Sequence, residues 1–231
     1  IQPHADQWLY DGISALAPAS RIAVLCDTTV SLLHGEKLVS ALERCGKTVP
    51  LHTVAAGEAS KSAQVMVELC EQLLSAGADR KTLLVAFGGG VIGDLGGFVA
   101  SVFLRGIPYV QVPTTTLASV DSSVGGKTAL NTPAGKNFIG TFYQPKAVLT
   151  AVSYLRTQEP RVHASGLVEA LKMAACLDRV LFDDLSAAVP DLLKFESSHV
   201  IPLLLRAVEL KAQIVAKDER EESERLVLNY G

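Results

Sequence analysis

Apolar and polar positions over the first 112 residues follow two alternating rhythms. Residues 22–26 are an unbroken apolar run closed by Asp27-Thr28-Thr29, which predicts a buried strand followed by a turn or helix cap. Residues 31–45 place Leu32, Leu33, Leu38, Val39 and Leu42 at helical spacing and stop at Gly46. A second strand is predicted over 48–54. Residues 60–76 read as a helix with Val65, Leu69, Leu73 and Leu74 on one face, closed by Gly77. A third strand over 82–87, a helix over 91–101 and a fourth strand over 107–112 complete the pattern. Such alternation predicts βαβ units around a mainly parallel sheet, where ligands bind beyond the carboxyl ends of the strands.

Beyond residue 152 the texture changes. Glycine occurs at 166 and then not until 231, and helical patterns cover 164–177, 180–188 and 199–217 with no strand between them. The expectation is an α/β domain over 1–152 followed by an all-α domain over 153–231 that is cut short.

Composition then narrows the class. With 231 residues, 48% apolar and 19% charged, the chain can build an ordinary core and is not a disordered tail. A net charge of −3 gives no basic footprint for nucleic acid. No apolar run reaches the roughly 18 residues of a membrane span, and the longest candidate, 91–104, is interrupted by Asp94. Cys26, Cys45, Cys70 and Cys176 form no C-x-x-C pair and read as free thiols of a reducing compartment. The first residues do not read as a signal peptide, so a cytoplasmic protein is expected.

Two segments carry candidate chemistry. Gly88, Gly90 and Gly93 satisfy G-x-G-x-x-G directly after the third predicted strand, where glycine permits close approach to a pyrophosphate and the next helix offers free N–H groups. The motif follows the third strand, not the first, and no acidic residue stands about 20 positions further on. It therefore predicts an atypical Rossmann-like nucleotide site, with Asp27 a candidate for the missing ribose contact, against a plain packing turn. Residues 113–128 are rich in hydroxyls, glycine and lysine, a composition not expected to fill a core. With Gly135-Lys136-Asn137 they predict an anionic-substrate site beside the nucleotide. Gly125-Gly126-Lys127-Thr128 lacks the first glycine of a Walker A loop, so ATP hydrolysis is not expected.

Taken together, the segments 88–94, 105–106, 111–115, 121–127 and 135–145 closely resemble the 3-dehydroquinate synthase family of sugar phosphate cyclases. The resemblance runs from Asp27 to the last residue. It implies NAD contacts at Asp27, Gly57, Glu58, Lys61, Gly90, Val91, Ile92, Gly93, Asp94, Thr114, Thr115, Lys127, Lys136, Tyr154, Leu155, Arg156 and Thr157. Substrate contacts would be Asp121, Lys127, Asn137, Lys172, Lys211, Arg225 and Asn229. Arg105 would reach a neighbouring subunit's site, which implies a homodimer. Glu169, in Gly166-Leu167-Val168-Glu169, would bind a divalent metal, zinc or cobalt. Read without the resemblance, Glu169 and Lys172 are also a plausible surface pair at i and i+3.

The resemblance further implies turnover of 3-deoxy-D-arabino-heptulosonate 7-phosphate to 3-dehydroquinate and phosphate, in the shikimate route to aromatic amino acids. Sibling cyclases making 2-epi-5-epi-valiolone or 2-deoxy-scyllo-inosose are the nearest alternative, and a non-catalytic NAD-binding fragment is another. In the family a metal-binding His follows the glycine that stands last here, and a second lies beyond it. His4, His34, His52, His163 and His199 match neither. The chain is thus expected to be a fragment that is inactive alone.

Overall fold

The computed structural model describes residues 1–2, 7–16, 21–44, 46–195 and 197–229, with the backbone alone at 197–199. His4 and Cys45 lie outside the described residues. The chain forms two compact units, 6–112 with 126–149, and 1–5 with 113–125 and 150–231. The expected single division after residue 152 differs from this arrangement, because 113–125 packs with the helices.

In the α/β unit the order is α1 (Gln7–Leu16), β1 (Ile22–Asp27), α2 (Thr28–Val30), α3 (Glu36–Arg44), β2 (Leu51–Val54), α4 (Ala63–Ser75), β3 (Leu83–Gly88), α5 (Gly90–Val102) and β4 (Tyr109–Pro113). The sheet order is β2-β1-β3-β4. β1 runs parallel to β2, with Val24 opposite Leu51, and parallel to β3, with Val24 opposite Val85. Every residue of β3 is buried, and so are the first five of β1, which is why both read as unbroken apolar runs. Leu25, Ala86, Leu95, Phe98, Val99 and Tyr109 form the core that seats α5 against the sheet.

One element was not expected. β5 (Lys127–Thr132) and β6 (Gly135–Phe142) form an antiparallel hairpin, with Lys127 opposite Phe142 and an irregularity between Leu130 and Thr132. α5 packs on β5, and Leu130 joins the core.

The helical unit contains α6 (Val152–Leu155), α7 (Pro160–Leu177), α8 (Arg179–Leu193), α9 (Ser197–Lys217) and a 3₁₀ segment at Glu224–Asn229. Pro160 opens α7, where its missing N–H costs nothing. Asp178 caps α8 by accepting from Leu181 N at 2.9 Å. Val120, Leu167, Ala170, Leu181, Leu185 and Leu204 share its core. Among the described residues no helix is long and apolar enough to cross a membrane.

The polar run was expected to stay out of any core. Instead Thr114, Thr116, Ser119, Ser123 and Thr128 are all buried. Some of these hydroxyls find close partners: Ser119 Oγ donates to Thr115 O at 2.9 Å, and Thr128 Oγ1 lies 2.8 Å from Thr141 Oγ1, while Ser123 Oγ is buried without a hydrogen-bond partner among the described residues. A hydroxyl that is hydrogen-bonded can be buried at little cost.

Candidate functional site

The α/β unit gathers one group of predicted residues. Gly89 stands at the N-cap of α5 with no capping side chain, so the first N–H groups of that helix, at Gly90, Val91 and Ile92, have no side-chain acceptor from it. A helix start of this kind favours an anion. Gly93 and Asp94 follow in the same turn. The Lys61 side chain is 4% exposed and its ammonium is salt-bridged to the Asp94 carboxylate. It also donates to Asn137 Oδ1 at 2.5 Å. A buried ammonium persists only when paired and hydrogen-bonded, and both partners are supplied.

The hairpin holds this cluster in register. Asn131 N donates to Lys61 O at 2.8 Å, and Asn131 Nδ2 donates to Glu58 Oε1 at 2.8 Å. Asn137 N donates to Asn131 Oδ1 at 3.1 Å, and Lys136 Nζ stands 3.8 Å from Glu58 Oε1. Asn131 was not predicted; its position one turn before a Gly-Lys-Asn triplet carries no distinguishing pattern. Gly57 lies just before this cluster with φ at +106°. Beside the cluster opens a cavity of about 440 Å³, lined among others by Asp94, Lys127, Asn137, Phe138 and Phe142.

Asp27 is already engaged. Its Oδ1 accepts from Thr29 N at 2.8 Å and Val30 N at 2.9 Å, so it caps α2. Arg105 is exposed on a turn where Leu104, Arg105 and Gly106 all have positive φ, at 50°, 69° and 116°. Two consecutive non-glycine residues in that region are strained, a feature that clusters at functional turns.

The remaining predicted residues belong to the helical unit. Asp121 sits in a π-helical turn at Ala118–Ser122. Lys211 Nζ donates to Asp121 Oδ1 and to Asp121 O, each at 2.5 Å. Glu169 and Lys172 face one another on α7 at 2.6 Å. Thr115 Oγ1 accepts from Ala118 N at 3.2 Å. Tyr154 and Leu155 are buried, Leu155 within the helical core, so its side chain is committed to packing. Arg156 donates to Phe195 O at 2.7 Å, and Thr157 Oγ1 donates to Tyr154 O at 2.8 Å.

The segment after α9 carries Arg225 and Asn229. It is an ordered polar knot. Arg225 is 2% exposed and donates to Glu219 O at 2.6 Å and Gly125 O at 3.2 Å. Glu221 lies 3.5 Å from Arg225 Nε and accepts from Asn229 Nδ2 at 2.7 Å. Asp218, which the sequence reading missed, accepts from Glu222 N, Ser223 N and Arg225 N at 2.9, 2.7 and 3.0 Å. These bonds, led by the one from Glu222, hold its carboxyl at a pKa of about 2. The signal for it was slight: an Asp directly after the last helical residue.

Among the described residues no group of three His, Cys, Asp or Glu side chains comes together to hold a metal. Glu169 is paired with Lys172 instead.

Solved structures with the same architecture include sugar phosphate cyclases. The 2-epi-5-epi-valiolone synthase from Streptomyces hygroscopicus subsp. jinggangensis, solved with NAD+ and Zn2+ bound, is 29% identical with a TM-score of 0.86, over 93% of this chain and 62% of that one. Within that class, the 3-dehydroquinate synthase N-terminal family model matches residues 51–165, and the C-terminal model of the same family matches 166–231. The 3-dehydroquinate synthase of Caulobacter vibrioides is 45% identical over 218 residues, and that of Pelobacter propionicus is 44% identical over 213. These alignments take in 94% and 92% of this chain. The chain belongs to the 3-dehydroquinate synthase family. It spans 59% of the length of either relative.

Proposed function

We propose that this protein acts as a 3-dehydroquinate synthase, converting 3-deoxy-D-arabino-heptulosonate 7-phosphate to 3-dehydroquinate and phosphate. The observation that carries the reading is the Lys61–Asp94–Asn137 cluster beside the cavity and the uncapped start of α5, in one compact unit. That donor set fits NAD. The free N–H groups of α5 suit its pyrophosphate, and Asp94, fixed by Lys61, offers a carboxylate to hydroxyls. Bound there, NAD would supply a reversible hydride acceptor for the C5 alcohol, so that net oxidation over the cycle is zero.

The chain's own residues have the other work. With a ketone at C5 the C6 proton is acidic, and phosphate leaves C7 by β-elimination. After C5 is an alcohol again the ring opens, and an intramolecular aldol joins C7 to C2. Substrate and products balance without an outside oxidant. The substrate carries a phosphate and a carboxylate, and Lys172, Lys211 and Arg225 of the helical unit are the cations proposed to hold them. Lys172 and Lys211 are each already held against a carboxylate, Glu169 and Asp121, which keeps them oriented until substrate exchanges for that partner.

For a divalent cation the described residues offer Glu169 with no second and third ligand beside it. None of the steps above runs through a metal. A homodimer in which Arg105 reaches the second subunit, and a cytoplasmic location, complete the proposal. They rest on the displayed Arg105 turn and on Cys26, Cys70 and Cys176 being free thiols.

The test is phosphate release from 3-deoxy-D-arabino-heptulosonate 7-phosphate with NAD and Zn2+, using this chain and a form extended to the relatives' length. Release by the extended form supports the proposal. Release only from a 7-phosphoketose lacking the carboxylate moves the protein to a sibling cyclase, and no release from either sinks the assignment.

A further inference from the structure

His163 is buried on α7, 1% exposed, and no step above uses it. Its Nε2 lies 2.8 Å from Leu192 O, a carbonyl that can only accept. The Nε2 therefore carries the proton, and the neutral ring presents a bare Nδ1. That nitrogen lies 2.7 Å from Thr116 Oγ1, itself fully buried. Gln158 Nε2 donates to the same hydroxyl at 2.8 Å, and Gln158 Oε1 accepts from Thr116 N at 3.0 Å. The directions close in one way: Gln158 N–H to Thr116 O–H to His163 Nδ1, and His163 Nε2–H to Leu192 O. The ring also stacks on Phe195 at 3.8 Å between centroids.

A second contact lies one helical turn along. A Cβ on Gly166 would stand 2.7 Å from Thr116 C and Thr116 Cβ, so the α7 backbone meets 116–117 directly at that glycine. Glu169 and Lys172 continue the same i, i+3 row of α7.

We infer that His163 is a positioning residue: as the neutral Nε2–H tautomer it fixes Thr116 and so docks the 113–125 segment, with Thr114, Thr115 and Asp121, onto α7. This rests on the proposed function for its catalytic meaning and on geometry alone for the docking. The groups facing the imidazole are the Thr116 hydroxyl, the Leu192 carbonyl and the Phe195 ring, none of them charged. Burial pushes its pKa below the ordinary 6.5, against the opposing hydrogen bond to Leu192. Protonating Nδ1 leaves the Thr116 hydroxyl hydrogen without its acceptor, which releases the segment.

The test compares His163→Phe, which keeps the stack and loses both hydrogen bonds, with Thr116→Val and Thr116→Ser. Backbone hydrogen exchange is followed on the whole protein, with ring ¹⁵N shifts of the wild type. Expected is exchange about tenfold faster across 115–123 in His163→Phe and in Thr116→Val, no further increase in the double variant, and recovery in Thr116→Ser. The ¹⁵N shifts should show the Nε2–H tautomer. Unchanged exchange at 115–123, acceleration spread evenly over α7, α8 and α9, or the Nδ1–H tautomer each overturns the inference. NAD affinity, measured in parallel, separates the two ideas. A segment loosened with unchanged affinity leaves the docking intact and removes Thr114 and Thr115 from the nucleotide site.

Discussion

Arg225 donates to the carbonyl of Gly125, a bond that ties the segment after α9 to the end of the 113–125 segment. Gly125 has φ at +108°, and a Cβ there would lie 2.9 Å from Arg225 Cζ and 3.1 Å from Val215 Cγ2. Gly125→Ala is therefore expected to strain the backbone and displace a buried guanidinium together. A loss on the order of 1–3 kcal/mol is expected in urea unfolding. Unchanged stability would show that the guanidinium has room to move.

Asp218 sits behind that contact. With its folded pKa held at about 2, below the ordinary 3.8, the carboxylate stabilises the fold above pH about 4. The unfolded chain takes up the proton first as pH falls, so the contribution is lost between about 3.8 and 2. Asp218→Asn keeps the shape but has one acceptor oxygen for three N–H donors. It should flatten the acid limb of the stability profile and weaken substrate binding more than NAD binding. An acid limb equal to wild type contradicts this.

Lys61 gives a sharper case. Lys61→Met leaves Asp94 without its cation and Asn137 without its donor. The expected result is at least about a tenfold loss of NAD affinity, since one charge-assisted bond is worth that much. Removing both charges in Lys61→Met/Asp94→Leu should restore stability but not affinity. A thermal scan and an NAD titration of the three proteins check both halves.

Three histidines set a neutral-to-acid dependence. Burial lowers the pKa of His34, His52 and His163, His34 with a further push from Lys37. Below pH 6.5 the unfolded chain binds protons that the folded one refuses, so stability is full above 6.5 and falls as pH drops below it. Urea midpoints at pH 7.5 and 5.5 should differ in that sense, and His163→Phe should narrow the gap. A gap of equal size in that variant would mean its imidazole does not contribute.

Much of this architecture is written in the sequence in plain form. β1 and β3 are unbroken apolar runs because they are buried on both faces, and α7, α8 and α9 follow their periodicity closely. β6 escaped notice because nearly all its residues are exposed, so neither alternation nor a continuous apolar run marks it. Burial of 113–125 was hidden in part because the Thr116 hydroxyl is satisfied by Gln158 and His163, about 40 residues or more away. Lys61 and Asp94 stood out only through the family resemblance, since nothing local tells a buried ion pair from two surface charges. Asp218 stayed invisible because its three partners are backbone groups, which leave no trace in residue type.

The most direct measurement is a calorimetric titration of NAD into this protein and into Lys61→Met. Saturable one-site binding to the wild type is expected, weakened at least about tenfold in the variant. No binding to the wild type, or equal affinity in the two, would contradict the nucleotide site on which the proposed function stands.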